Sequence, residues 1–311
     1  MPYKYKEGKM VPRILVAKAS DFQNMNASDW VECISKSDGR TLAAEVMCTN
    51  KSPVEGVTHG EIAVAMGADI VGLNYYDPVN PNIDGCPDNI LKSEYPLAEY
   101  KRLVGCPIGI KFLCGDKEKT SGFGGRDPKP ENIELHLNQG ADMFFLYAIR
   151  RFGCTLELLK SIAVDTLKVL GDRAPLFVNP AQILSIPRTS NSVEKIIQAT
   201  KELLDIGCHG IVLPMPGGKP GWMLEPIAKI IDGIHQNGGI AWLTIQESMP
   251  SGPIEVIKQM ALQAKMVGTD VSMFDYSGIY GMPDLMNIFE FSLAVRGKSH
   301  TYFRMSASIL R

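Results

Sequence analysis

The sequence predicts an α/β fold, a single (β/α)8 or TIM barrel with an N-terminal extension, and three features carry the prediction. First, a glycine, a small or polar residue and an apolar run recur at Gly67-Ala68-Asp69, Gly140-Ala141-Asp142, Gly207-Cys208-His209 and Gly268-Thr269-Asp270. The interval is about 60 to 75 residues, the length of two βα units. Second, apolar stretches introduced by proline or glycine lie between these repeats at 107–113, 175–179 and 239–246, and 41–47 completes a set of eight strands. Third, no GxGxxG follows the first strand, which argues against an open dinucleotide-binding sheet.

The elements follow in order. The glycine suits the left-handed residue that closes a helix, and the apolar run after it suits a strand buried on both faces. Helical patterns fill the intervals at 60–66, 94–104, 131–139, 155–171, 192–206, 222–237, 253–267 and 283–297. Pro253 and Pro283 stand where a first helical turn tolerates proline, and Ser192 is expected as an N-cap. Strict alternation of strand and helix favours the closed barrel. Residues 1–39 form the extension, in which 28–34 reads as a short capped helix able to plug the N-terminal end of the barrel. Residues 40–311 form the barrel, with a basic, mildly amphipathic tail from Gly297 expected to pack on the barrel or on a neighbouring subunit of a homo-oligomer.

Composition narrows the class. A net charge of -2 gives no electrostatic case for nucleic acid or an acidic membrane surface. The 7 cysteines are odd in number and show no CxxC pair, which favours reduced thiols in a cytoplasmic enzyme. Residues 1–7 lack the apolar core of a signal peptide, and no run is long enough to span a bilayer. The expected partner is a small-molecule substrate.

In such barrels chemistry gathers at the strand C-termini and the loops after them. Glu45 and Lys111 sit inside apolar strands, where a charge is costly unless it faces the axis and finds a partner. They read as a catalytic acid–base pair, with Lys111 able to act as a Schiff-base nucleophile if burial lowers its pKa; a structural ion pair is the alternative. Asn50, Asn74, Asn179 and Gln246 are amides placed to bind hydroxyl or carbonyl oxygens. Tyr147 and Arg150 leave the fourth strand together, Arg150 as a clamp for a carboxylate or phosphate, and Asp275 ends the eighth. Gly217, Gly218, Ser251, Gly252, Ser277 and Gly278 lie in glycine-rich turns suited to an anion. The loop 115–130 carries glycine hinges with Phe123 and Arg126, as a mobile lid or a solvated connection; 77–93 is a second long loop.

The 5 histidines form no metal signature, so no cofactor is assigned. A divalent metal on Asp77, Asp116 or Asp275 remains open. His59 has a plausible place at the mouth, His136 and His235 are expected at the surface, and His209 on the opposite, stabilising face.

The Gly-Ala-Asp runs at 67–73 and 140–146 resemble those of phosphate-binding (β/α)8 barrels of sugar-phosphate and amino-acid metabolism. That resemblance implies small phosphorylated substrates handled by isomerases, epimerases or aldolases. More faintly, the chain resembles an uncharacterised bacterial barrel family, some members of which carry a haloacid-dehalogenase-like label. The Asp-x-Asp motif such a label implies does not occur here. Aldolases that use a Schiff base often place the lysine on strand six, where this chain has Val212-Leu213-Pro214. The expected function is proton transfer next to a carbonyl of a small phosphorylated or carboxylated metabolite, by an isomerase or epimerase, or by a carbon–carbon lyase. A non-catalytic metabolite sensor and a metal-dependent hydrolase or lyase are the alternatives.

Overall fold

The computed structural model describes residues 10–120 and 122–311. Eight parallel strands close into a barrel: β1 (Thr41–Met47), β2 (Ile70–Asn74), β3 (Ile108–Cys114), β4 (Met143–Ala148), β5 (Leu176–Asn179), β6 (Gly210–Pro214), β7 (Ile240–Ile245) and β8 (Val271–Phe274). β1 closes the ring through pairs such as Thr41 with Val271, while on its other side Glu45 stands opposite Gly72.

The helices are α1 (Ala27–Ser35), α2 (His59–Ala65), α3 (Asp88–Leu91), α4 (Pro96–Val104), α5 (Lys117–Thr120), α6 (Pro130–Asn138), α7 (Leu156–Leu170), α8 (Ser190–Asp205), α9 (Leu224–Gln236), α10 (Ile254–Met266) and α11 (Leu285–Ser306). The short α3 and α5 fall in the two long loops and lie outside the expected pattern. No helix among the described residues is long and apolar enough to cross a membrane. Ser192 is not the N-cap of α8. Thr189 is, and Ser192 returns its side chain from the third helical position in a capping box.

The repeated tripeptide has a mechanical role at the base of the barrel. Its glycines take left-handed φ of 110° (Gly67), 105° (Gly140), 107° (Gly207) and 80° (Gly268), which ends the helix and turns the chain into the next strand. The third residue then staples the preceding odd strand. Asp69 accepts from the Leu42 N–H (2.9 Å), Asp142 from Ile108 (2.8 Å), His209 Nδ1 from Leu176 (3.2 Å) and Asp270 from Ala241 (2.7 Å). In return the backbone N–H of each donates to the carbonyl of the strand residue it caps. The N–H groups that start β1, β3, β5 and β7 would otherwise be unpaired at a buried edge. Three cations and a histidine back these groups: Arg296 and Arg304 on Asp69, Lys101 on Asp142 and His235 on Asp270.

Side chains alternate along each strand between the helix layer and the axis. The lower and middle interior is filled by aromatics, with Phe145, Phe177 and Trp242 in mutual contact at 4.9 to 5.3 Å between ring centroids. Gly109 makes room for them, because a Cβ there would stand 2.7 Å from the Phe145 ring. Ile14, Phe22, Trp30 and Ile34 of the N-terminal segment join this same apolar cluster, and the Asn26–Asp29 capping box fixes the start of α1. Residues 1–9 of the expected extension lie outside the described residues. Aromatics and apolar plug thus close one end, leaving polar side chains to converge at the other.

α11 runs past the expected end at 297. Gly297 breaks its geometry (φ 71°), and the helix continues, so that buried Arg304 reaches Asp69 and the carbonyl of Ile14. The tail therefore packs on the base of the barrel. His136, expected at the surface, is fully buried on α6, in ring contact with Tyr76 and Phe112. Its pKa is pushed down to about 4 by burial.

Candidate active site

At the C-terminal end of the barrel the inward positions carry Glu45 and Asn74 from β1 and β2, Lys111 from β3, Tyr147 from β4, Asn179 from β5, and Gln246 and Asp275 just after β7 and β8. All except Glu45 border a cavity of about 320 Å³, together with Tyr75, Arg151, Gln182, Lys219, Glu247, Tyr276 and Ser277. Glu45 lies one layer deeper. It is 2% exposed, and its carboxylate binds the Lys111 ammonium at 2.8 and 3.2 Å and the Asn74 amide at 2.7 Å. Asp275 approaches the same ammonium from the rim at 3.9 Å and steadies itself on the Ser277 N–H.

Two carboxylates thus share one buried ammonium. Burial pushes Glu45 up from its ordinary 4.5 to about 7, against the attraction of Lys111 and helped by the charge of Asp275. Burial alone would lower Lys111, as expected from the sequence. The charges of Glu45 and Asp275 outweigh it, and Lys111 is raised instead, so it stays an ammonium. The Tyr147 ring lies 4.1 Å from the Lys111 nitrogen and that of Tyr276 5.1 Å, walls that favour a cation. The Tyr147 hydroxyl is buried without a hydrogen bond of good geometry, although the Asn179 amide lies near enough to favour its ionised form. Burial raises its pKa, so it remains a donor. Asn179 spends its oxygen on the Ala181 N–H and borders the cavity.

Between pH 4.5 and 7 the folded chain holds a proton on Glu45 that the unfolded chain has already released, so stability falls as pH rises through that window. Lys111 is charged in both states there. Relative to Glu45→Gln, the wild type is expected to lose unfolding free energy as pH rises across the window. Denaturant titrations at several pH values measure this; parallel pH profiles would refute the shift.

Several expected residues lie elsewhere. Arg150 points away from the cavity and reaches the Leu184 carbonyl (3.4 Å), while its neighbour Arg151 borders the cavity over the Phe152 ring. Asn50 packs beside Gly281, outside the cavity lining. The N–H groups of Gly217, Gly218, Ser251, Gly252 and Gly278 are consumed by their own turns, bonded to Trp222, Met215, Ser248, Met249 and Tyr276 carbonyls. They form no anion cradle. Of that set only Ser277 borders the cavity, with a buried hydroxyl lacking a partner. His59 is buried against the Tyr280 carbonyl.

The loop 115–130, described except for Ser121, runs along one edge of the mouth with much of its length exposed. Arg126 stacks over Tyr75 at 4.6 Å, Phe123 meets Phe152, and Asn132 ties down the Gly124 and Asp127 carbonyls. Sequence reasoning passed over Tyr75 and Glu247 as site residues. Both follow strand ends with left-handed φ, 66° and 61°, a conformation the residue types give no sign of.

A divalent cation on Asp77, Asp116 or Asp275 would meet carboxylates that already have partners. Asp77 caps the Val79 N–H and Asp116 pairs with Lys119. The Lys111 ammonium stands between Glu45 and Asp275. Among the described residues no three His, Cys, Asp or Glu side chains are grouped to hold an ion.

A comparison with curated proteins found no match. Among solved structures the chain is similar to 2,3-dimethylmalate lyase, a PEP mutase/isocitrate lyase superfamily member, at 12% identity and a TM-score of 0.50, over 84% of this chain and 82% of that one. It is also similar to the carboxyl transferase domain of Rhizobium etli pyruvate carboxylase, at 10% identity and a TM-score of 0.51, over 97% of this chain and 53% of that one. Identities this low speak for a shared barrel fold. The haloacid-dehalogenase-like label finds no support in them. A family model described as a domain of unknown function, DUF7916, matches residues 15–311, and the chain belongs to that family.

Proposed function

We propose that this protein is an enzyme that forms and stabilises an enolate on a small, carboxylated, oxygen-rich metabolite, and that the reaction is carbon–carbon bond cleavage. The observation that carries this reading is the buried Lys111 ammonium, held by Glu45 and bordering the cavity beside the buried hydroxyl of Tyr147. Permanent donors fixed at the cavity floor favour an oxygen on which negative charge develops. Asp275 faces the cavity and is placed to act as the base, with Glu45 as the residue that positions Lys111. In the cleavage direction Asp275 takes the proton of a hydroxyl on the carbon β to a carbonyl. The O–H electrons form the new C=O, the carbon–carbon bond breaks, and its electrons pass to the enolate, whose oxygen rests on Lys111 and Tyr147. Asn179 and Gln246 orient the remaining oxygens. The lyase with the same barrel fold supports cleavage over isomerisation, which would use the same base and the same enolate.

The experiment is proton exchange in D2O, followed by NMR over a panel of 2-oxo and 3-hydroxy carboxylates. Exchange next to the carbonyl, lost in Lys111→Met and Asp275→Asn, is the expected result; new aldehyde or keto-acid signals identify cleavage. The closed Glu45–Lys111 pair favours a second reading, a metabolite-binding barrel without chemistry. Binding across the panel with no exchange would establish that one. Because Lys111 stays protonated, borohydride reduction with any carbonyl compound of the panel is expected to leave Lys111 unmodified by mass spectrometry; a reduced adduct there would restore a Schiff-base mechanism.

A further inference from the structure

Tyr75 and Glu247 hold left-handed backbone at the mouth although neither is glycine. Such strain persists where the surroundings impose it, and it gathers at ligand sites. Tyr75 is braced between Arg126 (4.6 Å) and Tyr276 (6.3 Å). Glu247 is different: its side chain is 67% exposed, and its carboxylate reaches from the loop after β7 to Lys219 on the loop after β6, at 3.1 Å. An ion pair this exposed adds little stability. Its effect is to keep a carboxylate on an ammonium that borders the cavity.

We propose that Lys219 is the specificity residue for a second anionic group of the substrate, and that Glu247 occupies it until that group arrives. The proposal rests on the enolate reading above, in which Lys111 takes the first oxyanion. β3 and β6 stand three strands apart around the ring, so the two ammonium groups border the cavity from different sides. A ligand with an oxyanion at each end, the second being carboxylate or phosphate, engages both; a monoanion engages one. The glycine turns offer no competing cradle, since the Gly217 and Gly218 N–H groups are already bonded. Side chains must therefore hold the anion. The exchange on Lys219 is charge for charge, and the displaced Glu247 returns to water, where a carboxylate is well solvated.

Isothermal titration with succinate and with inorganic phosphate, at low and high salt, tests this on the full chain and its Glu247→Gln, Lys219→Met and Lys219→Arg variants. Glu247→Gln is expected to tighten one probe about three- to fivefold. Lys219→Met is expected to weaken the same probe about tenfold and flatten its salt dependence, with Lys219→Arg restoring both. A response to succinate assigns a carboxylate end, and a response to phosphate a phosphate end. Unchanged affinities for both probes in both variants would overturn the proposal, as would an effect of Glu247→Gln on thermal stability alone. The two readings fail separately. Exchange lost in Lys111→Met with Lys219→Met binding unchanged removes only the anion site. Exchange retained in Lys111→Met with the Glu247→Gln effect intact removes only the enolate chemistry.

Discussion

Lys111→Met is expected to lower turnover by about three orders of magnitude or more while leaving a folded barrel. The loss follows from the position of the charge: a fixed donor to a developing oxyanion contributes about 10²- to 10³-fold by itself, and this donor is also a full, largely buried cation. Folding survives because of Glu45. Already raised to about 7 with Lys111 beside it, the carboxyl becomes neutral at ordinary pH once its largest opposing influence is gone, and the Asn74 amide still bonds it. The variant therefore avoids the about 3–5 kcal/mol that a stranded buried charge would cost, and a loss of about 1–3 kcal/mol, that of an imperfectly satisfied polar group, is expected. Adding Glu45→Gln should recover part of that stability and none of the activity. Turnover and denaturant unfolding on the three proteins measure both quantities. A fully active Lys111→Met would remove Lys111 from the chemistry, and a double variant that regains activity would make the pair structural.

The floor of this site was legible in the sequence and its rim was not, for a physical reason. Glu45 and Lys111 stand out because an ionised group inside an apolar strand must find a partner, and strand periodicity aims both at the axis. Asn74, Tyr147, Asn179, Gln246 and Asp275 follow from the same period of two, carried to the strand ends. Past those ends direction depends on loop dihedrals that residue types do not encode. Arg150 and Arg151 are adjacent, and the turn sends one outward and the other to the cavity. Glycine loops read as anion sites when only their composition is visible, and their donors prove to be spent within the turns. Tyr75 and Glu247 owe their placement to left-handed backbone that the sequence disguises by using bulky residues there. The direction of the Lys111 shift was missed because burial and charge oppose each other, and the winning influence comes from Asp275 as well as Glu45.

The Gly-Ala-Asp rhythm makes the second large prediction, a graded series of stability losses at one end of the barrel. Asp69→Ala is expected to cost the most, about 3–5 kcal/mol, a large share of the 5–15 kcal/mol typical of a folded domain. Asp69 is fully buried, and its loss strands Arg296 and Arg304, 1% and 3% exposed, along with the Leu42 N–H. Asp142→Ala follows at about 2–3 kcal/mol, because Lys101 is 16% exposed and can turn towards water while the Ile108 N–H is left bare. Asp270→Ala should cost about 1–2 kcal/mol, its partner His235 being 39% exposed. His209→Ala removes the cap on Leu176 without unpairing a charge, for about 1 kcal/mol. Denaturant midpoints at constant m-value give the order directly. Equal losses at all four positions would mean that the strand cap, rather than the cation behind it, determines the stability, and the order proposed here would be wrong. Since all four caps lie at the end opposite the cavity, the less damaging variants should keep the affinities and exchange rates of the mouth unchanged, which separates the stabilising end of this barrel from its chemical one.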